Sequence, residues 1–420
     1  MGASNSKEND DTERRAEELK KIRIGMVGAG FISHIHMEAF RQIVGVPVEI
    51  ACIVSKEKEE NFAKQYGIAR TYRSYAEMLA DREIDMIDVC VPNKHHTQIC
   101  IDAARAGKHI ICEKPLTGAF GEVLEDGGTK VGHMSKLALY KEAMDNAKSI
   151  LEAAGQNNVK ICYAEDYIYA PTVVKAKRLL KQSGGAILEI RSEESHSGSH
   201  AAYSRHWNLA GGGSLIRLGS HPIGLVLHLK HFEGILKNGK PIGVKSVMAD
   251  VGNLTHTDAF KNTSDRWLVD EWDDVEDWSS LIITFEDGTK SIVLSNDTTL
   301  GGIVNTLDVF TTNSVIKCNM ASNDSVKAYA PAGEIFGDEY ITEKIQTKAG
   351  WTFPSPNEDW MRGYPQEMQD FVEAVYYDRA PISDGKLGLD VVQVIYAAYL
   401  SAEQGKRIEL AVLDESIKNA

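Results

Sequence analysis

The sequence predicts an α/β domain followed by an α+β domain, the second built on a large, mostly antiparallel sheet with one face open. Three observations carry this. Short apolar runs alternate with helical spacings from Ile22 to about residue 163. A glycine turn, Gly28-Ala29-Gly30, follows the first of those runs at once. Beyond about residue 164 the chain changes to a series of period-2 stretches with few helices between them.

Residues 1–20 are polar and charged and read as a tail. Ile22–Val27 is the first apolar run, the spacing of Ile35, Phe40 and Ile43 is helical, and Val48–Val54 is rich in β-branched residues. Strand, glycine turn, helix and strand make one βαβ unit. The alternation continues through a short helix at Tyr75–Leu79, a buried strand at Met86–Val91, a helix at Thr97–Ala106 with Gly107 as its cap, and a strand at His109–Cys112. Such alternation predicts a parallel sheet covered on both faces, a Rossmann arrangement over residues 21–163. Residues 118–135 hold five glycines and read as an insertion. Leu137–Ala154 is then a long amphipathic helix, and Val159–Tyr163 the last strand of the domain.

The second domain, residues 164–420, opens with a helix at Val173–Leu180. Strand patterns follow at Ala186–Glu193, Ile242–Val251, Trp278–Phe285, Lys290–Ser295, Thr306–Thr311 and Ser314–Asn319. The end is helical, at Tyr364–Tyr377 and Leu387–Glu403. A sheet face left uncovered by helices predicts a homodimer or homotetramer formed through it.

Composition narrows the function. The 420 residues carry a net charge of −14, which disfavours phosphate backbones and anionic membranes as partners. No apolar run is long enough for a membrane span, and the six cysteines show no CxxC spacing. Buried reduced thiols in a cytoplasmic protein are the expectation.

The turn Gly28-x-Gly30-x-x-Ser33 sits directly between a strand and a helix. There the first glycine makes the tight turn, the second admits a pyrophosphate to the backbone, and the helix start at Phe31 and Ile32 offers N–H groups to the phosphates. The second strand normally ends in an acid for the ribose 2′-hydroxyl. Here it ends Val54-Ser55-Lys56, a hydroxyl and a cation, which favours NADP over NAD; Glu57 and Glu59 stand just beyond as alternative acids.

Two further segments carry a family resemblance. Val89-Cys90-Val91-Pro92-Asn93-Lys94-His95-His96 and Ala106-Gly107-Lys108-His109-Ile110-Ile111-Cys112-Glu113-Lys114-Pro115-Leu116 closely resemble the Gfo/Idh/MocA family of glucose–fructose oxidoreductase, inositol dehydrogenase and rhizopine-catabolism proteins. The likeness continues at Gly211–Leu215, through Gly219-x-His221, and at Asp370–Val375 with Gly388–Val392. It implies an NAD(P)-dependent enzyme acting on a sugar, cyclitol or glycoside. It places Pro92, Asn93, His96, Glu113 and Lys114 beside the cofactor, and gives Lys114 the role of assisting deprotonation of the reacting hydroxyl, with Pro115 aiming it. His221 takes the role of general base or its partner; imidazole titrates near neutrality, which suits reversible alcohol oxidation.

The chain departs from the family pattern at Arg217, where an aspartate is usual, and at Gly224, where a second one is common. Arg217 either binds an anionic group on the substrate or pairs internally with Glu165, Asp166 or Glu194. The segment Glu193–Trp207, with His196, His200 and His206, predicts substrate contacts from His200, His206 and a Trp207 plate; Glu165 and Tyr167 are further candidates for hydroxyl contacts. His196 and His200 have the spacing of two metal ligands on a helix, but Ser-Gly-Ser between them opposes a helix, so no metal is expected. Two other functions share the fold: a redox-neutral glycosidase using held NAD, and a regulator that only senses dinucleotide.

Overall fold

The computed structural model describes residues 21–55, 58–121, 130–320 and 326–418. The tail, Lys56, Glu57 and residues 122–129 of the insertion lie outside the described residues.

The first sheet has six parallel strands in the order β3-β2-β1-β4-β5-β6. They are β1 Ile22–Val27, β2 Val48–Val54, β3 Arg70–Thr71, β4 Met86–Val89, β5 His109–Glu113 and β6 Ile161–Ala164. Their runs are apolar on both sides because helices cover both faces. Ile22, Ile24 and Met26 of β1 are fully buried. The helices Phe31–Phe40, His96–Arg105 and Lys136–Gln156 cross between them. Strand order reverses direction between β1 and β4, so a crevice opens at their carboxyl ends, where open α/β sheets hold ligands. β3 and the helix Glu59–Tyr66 were not anticipated; they are a two-residue strand and an eight-residue helix, too short for a periodic signal.

The second sheet has seven strands in the order β12-β11-β7-β10-β9-β8-β15. They are β7 Ile187–Ser195, β8 Val244–Gly252, β9 Trp278–Phe285, β10 Lys290–Asn296, β11 Val304–Thr311, β12 Val315–Asn319 and β15 Ile408–Glu409; a small hairpin, β13 Ala328–Ala330 and β14 Gly350–Thr352, stands apart. All pairs in this sheet are antiparallel except β7 with β10. The helices Ser220–Asn238 and Gly385–Gln404 cover one face. On the other, Met248, Ile282 and Ile292 line up across β8, β9 and β10 and are exposed.

The chain returns to its first domain at the end. The helix Tyr364–Tyr376 packs on Phe31–Phe40, and Gly385–Gln404 packs on Lys136–Gln156. Gln369 clasps Val44, accepting from its N–H and donating to its carbonyl, both at 2.9 Å. Among the described residues no helix is long and apolar enough to cross a membrane.

Candidate active site

A cavity of about 1030 Å³ runs from the carboxyl ends of β1, β2 and β4 to the first turns of the second domain. The glycine turn forms its floor. Gly28 has φ of +113°, and a Cβ there would stand 2.2 Å from the Cys90 carbonyl oxygen, so only glycine fits. Ser33 donates through Oγ to the Gly28 carbonyl at 3.1 Å and closes the turn. Gly30 caps the helix Phe31–Phe40 with no side chain bonded across it, and open space lies where its Cβ would be. The backbone N–H groups of that first turn therefore face the cavity, with Phe31 and Ile32 on its wall.

Beyond the turn the wall is Ser55, Lys58, Arg73, Ser74 and Tyr75. This is the end where an adenosine ribose would lie, and among the described residues no carboxylate lines it. Glu59 opens the next helix and is not on the wall. In the middle stand Val91, Pro92 and Asn93; Asn93 donates to the Ala210 carbonyl at 2.7 Å and ties the two domains together. His96 is not on the wall. Its ring is buried, with Nδ1 2.9 Å from the Pro115 carbonyl and Nε2 2.9 Å from the Val91 carbonyl, so it braces two wall segments from behind.

The strand β5 ends at Glu113 and delivers Lys114 into the cavity, followed by a cis bond to Pro115. Lys114 Nζ donates to the Arg217 carbonyl at 2.9 Å. Glu113 accepts from the Lys114 backbone N–H at 3.0 Å, and its other oxygen lies 3.0 Å from His36 Nε2. His36 Nδ1 is in turn 3.0 Å from Asp88. Burial opposes charge on this ring, but the neighbouring Cys90 and Asp88 outweigh it and hold His36 well above the usual histidine range. A buried imidazolium between two carboxylates thus anchors the strand end that carries Lys114. Sequence reasoning missed His36, which sits among ordinary helix residues.

The helix Ser220–Asn238 brings His221 to the opposite wall. Its Nδ1 lies 2.7 Å from Glu165 Oε1, and Tyr167 meets the ring edge-on at 4.8 Å between centroids. Glu165 is fully buried behind His221 and is not on the wall, so its place is to hold the imidazole and not to touch a hydroxyl. Its side chain packs against Gly224, where a Cβ would come within 3.0 Å of Glu165 Cγ. Burial, then Asp166, pushes the Glu165 carboxyl well up; burial, then Lys114 and Arg362, pushes His221 well down. Both members of the pair are thereby driven to their neutral forms. Glu194, on the wall 3.9 Å from His221 Nε2, is pushed up to about 8 by burial against the pull of Lys114.

Arg217 also reaches the wall, but its guanidinium is paired with the buried Asp297 and lies 4.8 Å over the Trp272 ring. The internal ion pair is therefore the reading that holds, with a partner other than the three acids expected. Three expected contacts fall elsewhere. Trp207 is buried, donating through Nε1 to the Ala119 carbonyl at 3.1 Å and packing on Tyr399. His206 is exposed beside Asp273 at 3.2 Å, and His200 is exposed as well. Neither lines the cavity. Tyr167, His196 and Tyr203 do, together with Glu343, Lys344, Arg362 and Tyr364 from the far end of the chain. Glu343, Lys344 and Arg362 lie where the sequence has no periodic signal, and Tyr364 opens the helix read at Tyr364–Tyr377.

Comparison with known proteins decides the family. Residues 22–125 match the oxidoreductase family's NAD-binding Rossmann fold, residues 173–317 the GFO/IDH/MocA C-terminal domain, and residues 313–410 the oxidoreductase family's C-terminal alpha/beta domain. The chain belongs to the GFO/IDH/MocA oxidoreductase family. Among members of this family it is 25% identical over 225 residues to levoglucosan dehydrogenase of Pseudarthrobacter phenanthrenivorans, a match covering 50% of this chain and 52% of that one. It is 30% identical over 96 residues to myo-inositol 2-dehydrogenase of Thermotoga maritima, covering 23% of this chain and 29% of that one. The chain thus matches about half the length of the first relative and less of the second. The solved structure of GenD2 from gentamicin A biosynthesis in complex with NAD superposes with a TM-score of 0.74 at 23% identity, covering 93% of this chain and 96% of that one. Levoglucosan dehydrogenase with NADH and levoglucosan gives 0.68 at 19%, covering 93% and 99%. These structures share the fold of the GFO/IDH/MocA chain. Its turn, with a glycine only glycine can fill and an open helix start, has the donor set a pyrophosphate needs.

Proposed function

We propose that this protein is an NAD(P)-dependent oxidoreductase that moves hydride between nicotinamide and a carbinol carbon of a sugar, cyclitol or glycoside. The observation that carries the reading is the convergence of Lys114 and His221 on one cavity whose other end is the Gly28–Gly30 turn. The names of the relatives, levoglucosan and myo-inositol dehydrogenases, support the same substrate class.

The bound nicotinamide supplies the hydride acceptor or donor. The chain supplies proton handling and position. A hydride leaves a carbinol carbon only as the hydroxyl proton departs, so a proton acceptor within hydrogen-bond reach is required. Lys114, fixed through the Arg217 carbonyl behind and Glu113 beneath, presents Nζ to that hydroxyl. His221 presents Nε2 from across the cavity, and Glu165 on Nδ1 sets the ring plane and passes a proton to or from it. Tyr167 and Glu194 complete the wall against which the ring of a polyol lies.

The preference between cofactors belongs to the same proposal. Ser55, Lys58 and Arg73 at the ribose end favour a 2′-phosphate, so we place NADP ahead of NAD. The exposed apolar row on the second sheet supports a homodimer or homotetramer. Six buried cysteines with no disulfide among them suit the reducing cytoplasm.

The test begins with dissociation constants for NADPH and NADH by fluorescence, followed by a scan of polyols, glycosides and uronates at the nicotinamide absorbance. NADPH is expected to bind more tightly, and Arg73→Ala to erase the difference. Lys114→Ala is expected to lose at least ~100-fold in kcat while binding cofactor normally, the usual scale for removing a proton-transfer group. Full turnover by Lys114→Ala would sink the mechanism.

A further inference from the structure

The substrate end of the cavity is lined by four strongly basic side chains, Lys114, Arg217, Lys344 and Arg362. Three are committed. Lys114 is bound to the Arg217 carbonyl at the reacting centre. Arg217 is paired with Asp297. Arg362 is paired with Glu343 at 2.7 Å and with Glu358 at 2.5 Å. Lys344 differs. It has no carboxylate within ion-pair distance among the described residues, and its Nζ reaches only the Gly198 carbonyl, at 3.2 Å. Its charge bears on the cavity: after burial, it is the strongest influence lowering His196 on the same wall. Burial pushes the acid Glu194 on the same wall up to about 8, and the buried Asp297, paired with Arg217, also feels the Lys344 charge.

The backbone gives a second, independent observation. Lys344 has φ of +61°. Apart from glycines, only Asn158 and Asp378 share a positive φ among the described residues, and those are types that tolerate it. A lysine does not, so its neighbours must impose the conformation. Gln346 donates to the Lys344 carbonyl at 2.7 Å and to Ser197 at 3.1 Å, while the Glu343 N–H is held by Glu358 at 3.0 Å. Strain imposed this way clusters at ligand-binding positions. Here it holds on the cavity wall a cation that has no ion-pair partner among the described residues.

We infer that Lys344 reads an anionic substituent, a carboxylate or a phosphoryl group, on the substrate. This rests on the oxidoreductase reading above and narrows it to acidic or phosphorylated sugars and cyclitols. The expectation of an anion-binding arginine at 217 thus transfers to a lysine from another part of the chain.

The test is calorimetric titration of the full chain, saturated with NADP, using glucose, glucosamine, glucuronate and glucose 6-phosphate as probes. The anionic pair is expected to bind at least tenfold more tightly than the other two. That advantage should vanish in both Lys344→Gln and Lys344→Gly. Lys344→Gly relieves the strained backbone and should melt no lower than the parent, so a loss of affinity there is not a loss of fold. The better member of the anionic pair tells carboxylate from phosphoryl. Equal binding of all four sugars, preference for glucose or glucosamine, or an advantage that survives both substitutions overturns the assignment. Normal cofactor binding with no sugar bound at all overturns the oxidoreductase reading itself, and this inference with it.

Discussion

Gly224 and Glu165 show how one missing side chain makes room for another. Gly224 lies inside a helix, where glycine costs roughly 1 kcal/mol relative to alanine. Its alanine variant would recover that amount and lose a similar one, because the new Cβ meets Glu165 Cγ at 3.0 Å and overpacking costs about 1–3 kcal/mol. Stability should therefore change little. Function should not escape so lightly, since Glu165 must move off His221 Nδ1 to relieve the contact. Gly224→Ala is expected to lose about tenfold in kcat/KM with a Tm within a few degrees of the parent, measured by steady-state kinetics and calorimetry; unchanged kinetics would show that Glu165 is dispensable. What the sequence shows at this scale follows from local mechanics. Gly28 and Gly30 are legible because a turn motif is local, whereas Lys114 and His221 stand out only through the family resemblance. The Arg217–Asp297 pair spans eighty positions, and the His36 bridge joins a helix to two strands. Pairings set by the fold leave no spacing to read. His200, His206 and Trp207 mislead for the opposite reason: their residue types suit a sugar, but composition does not say which side of a loop faces the cavity.

Among elements, the longer strands are legible nearly to their ends, because a parallel strand buried on both faces is a short apolar run and an antiparallel one alternates; the two- and three-residue strands β3, β13, β14 and β15 are too short to show either pattern. Trp278–Phe285 was read with its observed bounds. The helix Ser220–Asn238 was not delimited; its residues from Ser220 to Lys230 are all buried, so it lacks the two-faced pattern that reveals a surface helix. The parallel pairing of β7 with β10 was equally hidden, since nearly a hundred residues separate the strands. The row Met248, Ile282 and Ile292 makes a testable element. Pairing of two copies through it would bury these side chains, so if the proposed homo-oligomer forms through this row, Ile282→Glu with Ile292→Glu reduces its mass in light scattering to that of one chain, with the fold kept because both positions are exposed. A parent mass already that of one chain, or a mass the substitutions leave unchanged, would overturn assembly through this row.

The molecule as a whole buries many acids, among them Asp88, Glu113, Glu165, Asp166, Glu194 and Glu276, and its stability should record them. Glu194 is pushed up to about 8, and Asp166 and Glu276 to about 7, in each case by burial first. Unfolded, such groups titrate near ~4. Their contribution is therefore complete below about pH 4 and is lost as pH rises through about 8. His36, raised well above its ordinary range, adds a loss of the same sign above about pH 6.5. His196, His221 and His228 are depressed, chiefly by burial, and act only on the acid side, where falling pH must charge them. Between pH 6.5 and 8.5 the melting temperature should fall steadily, and Glu194→Gln should make the slope shallower; a flat or rising profile in calorimetry would contradict the burial of these charges.

The return of the last helices to the first domain has a consequence in time. On the ribosome the face of Phe31–Phe40 emerges more than three hundred residues before its cover, Tyr364–Tyr376. Lys136–Gln156 likewise waits for Gly385–Gln404. The Rossmann domain is thus completed only after the second sheet has been made, so a nascent or shortened chain carries bare apolar helix surface and is a natural client for chaperones until the covering helices emerge.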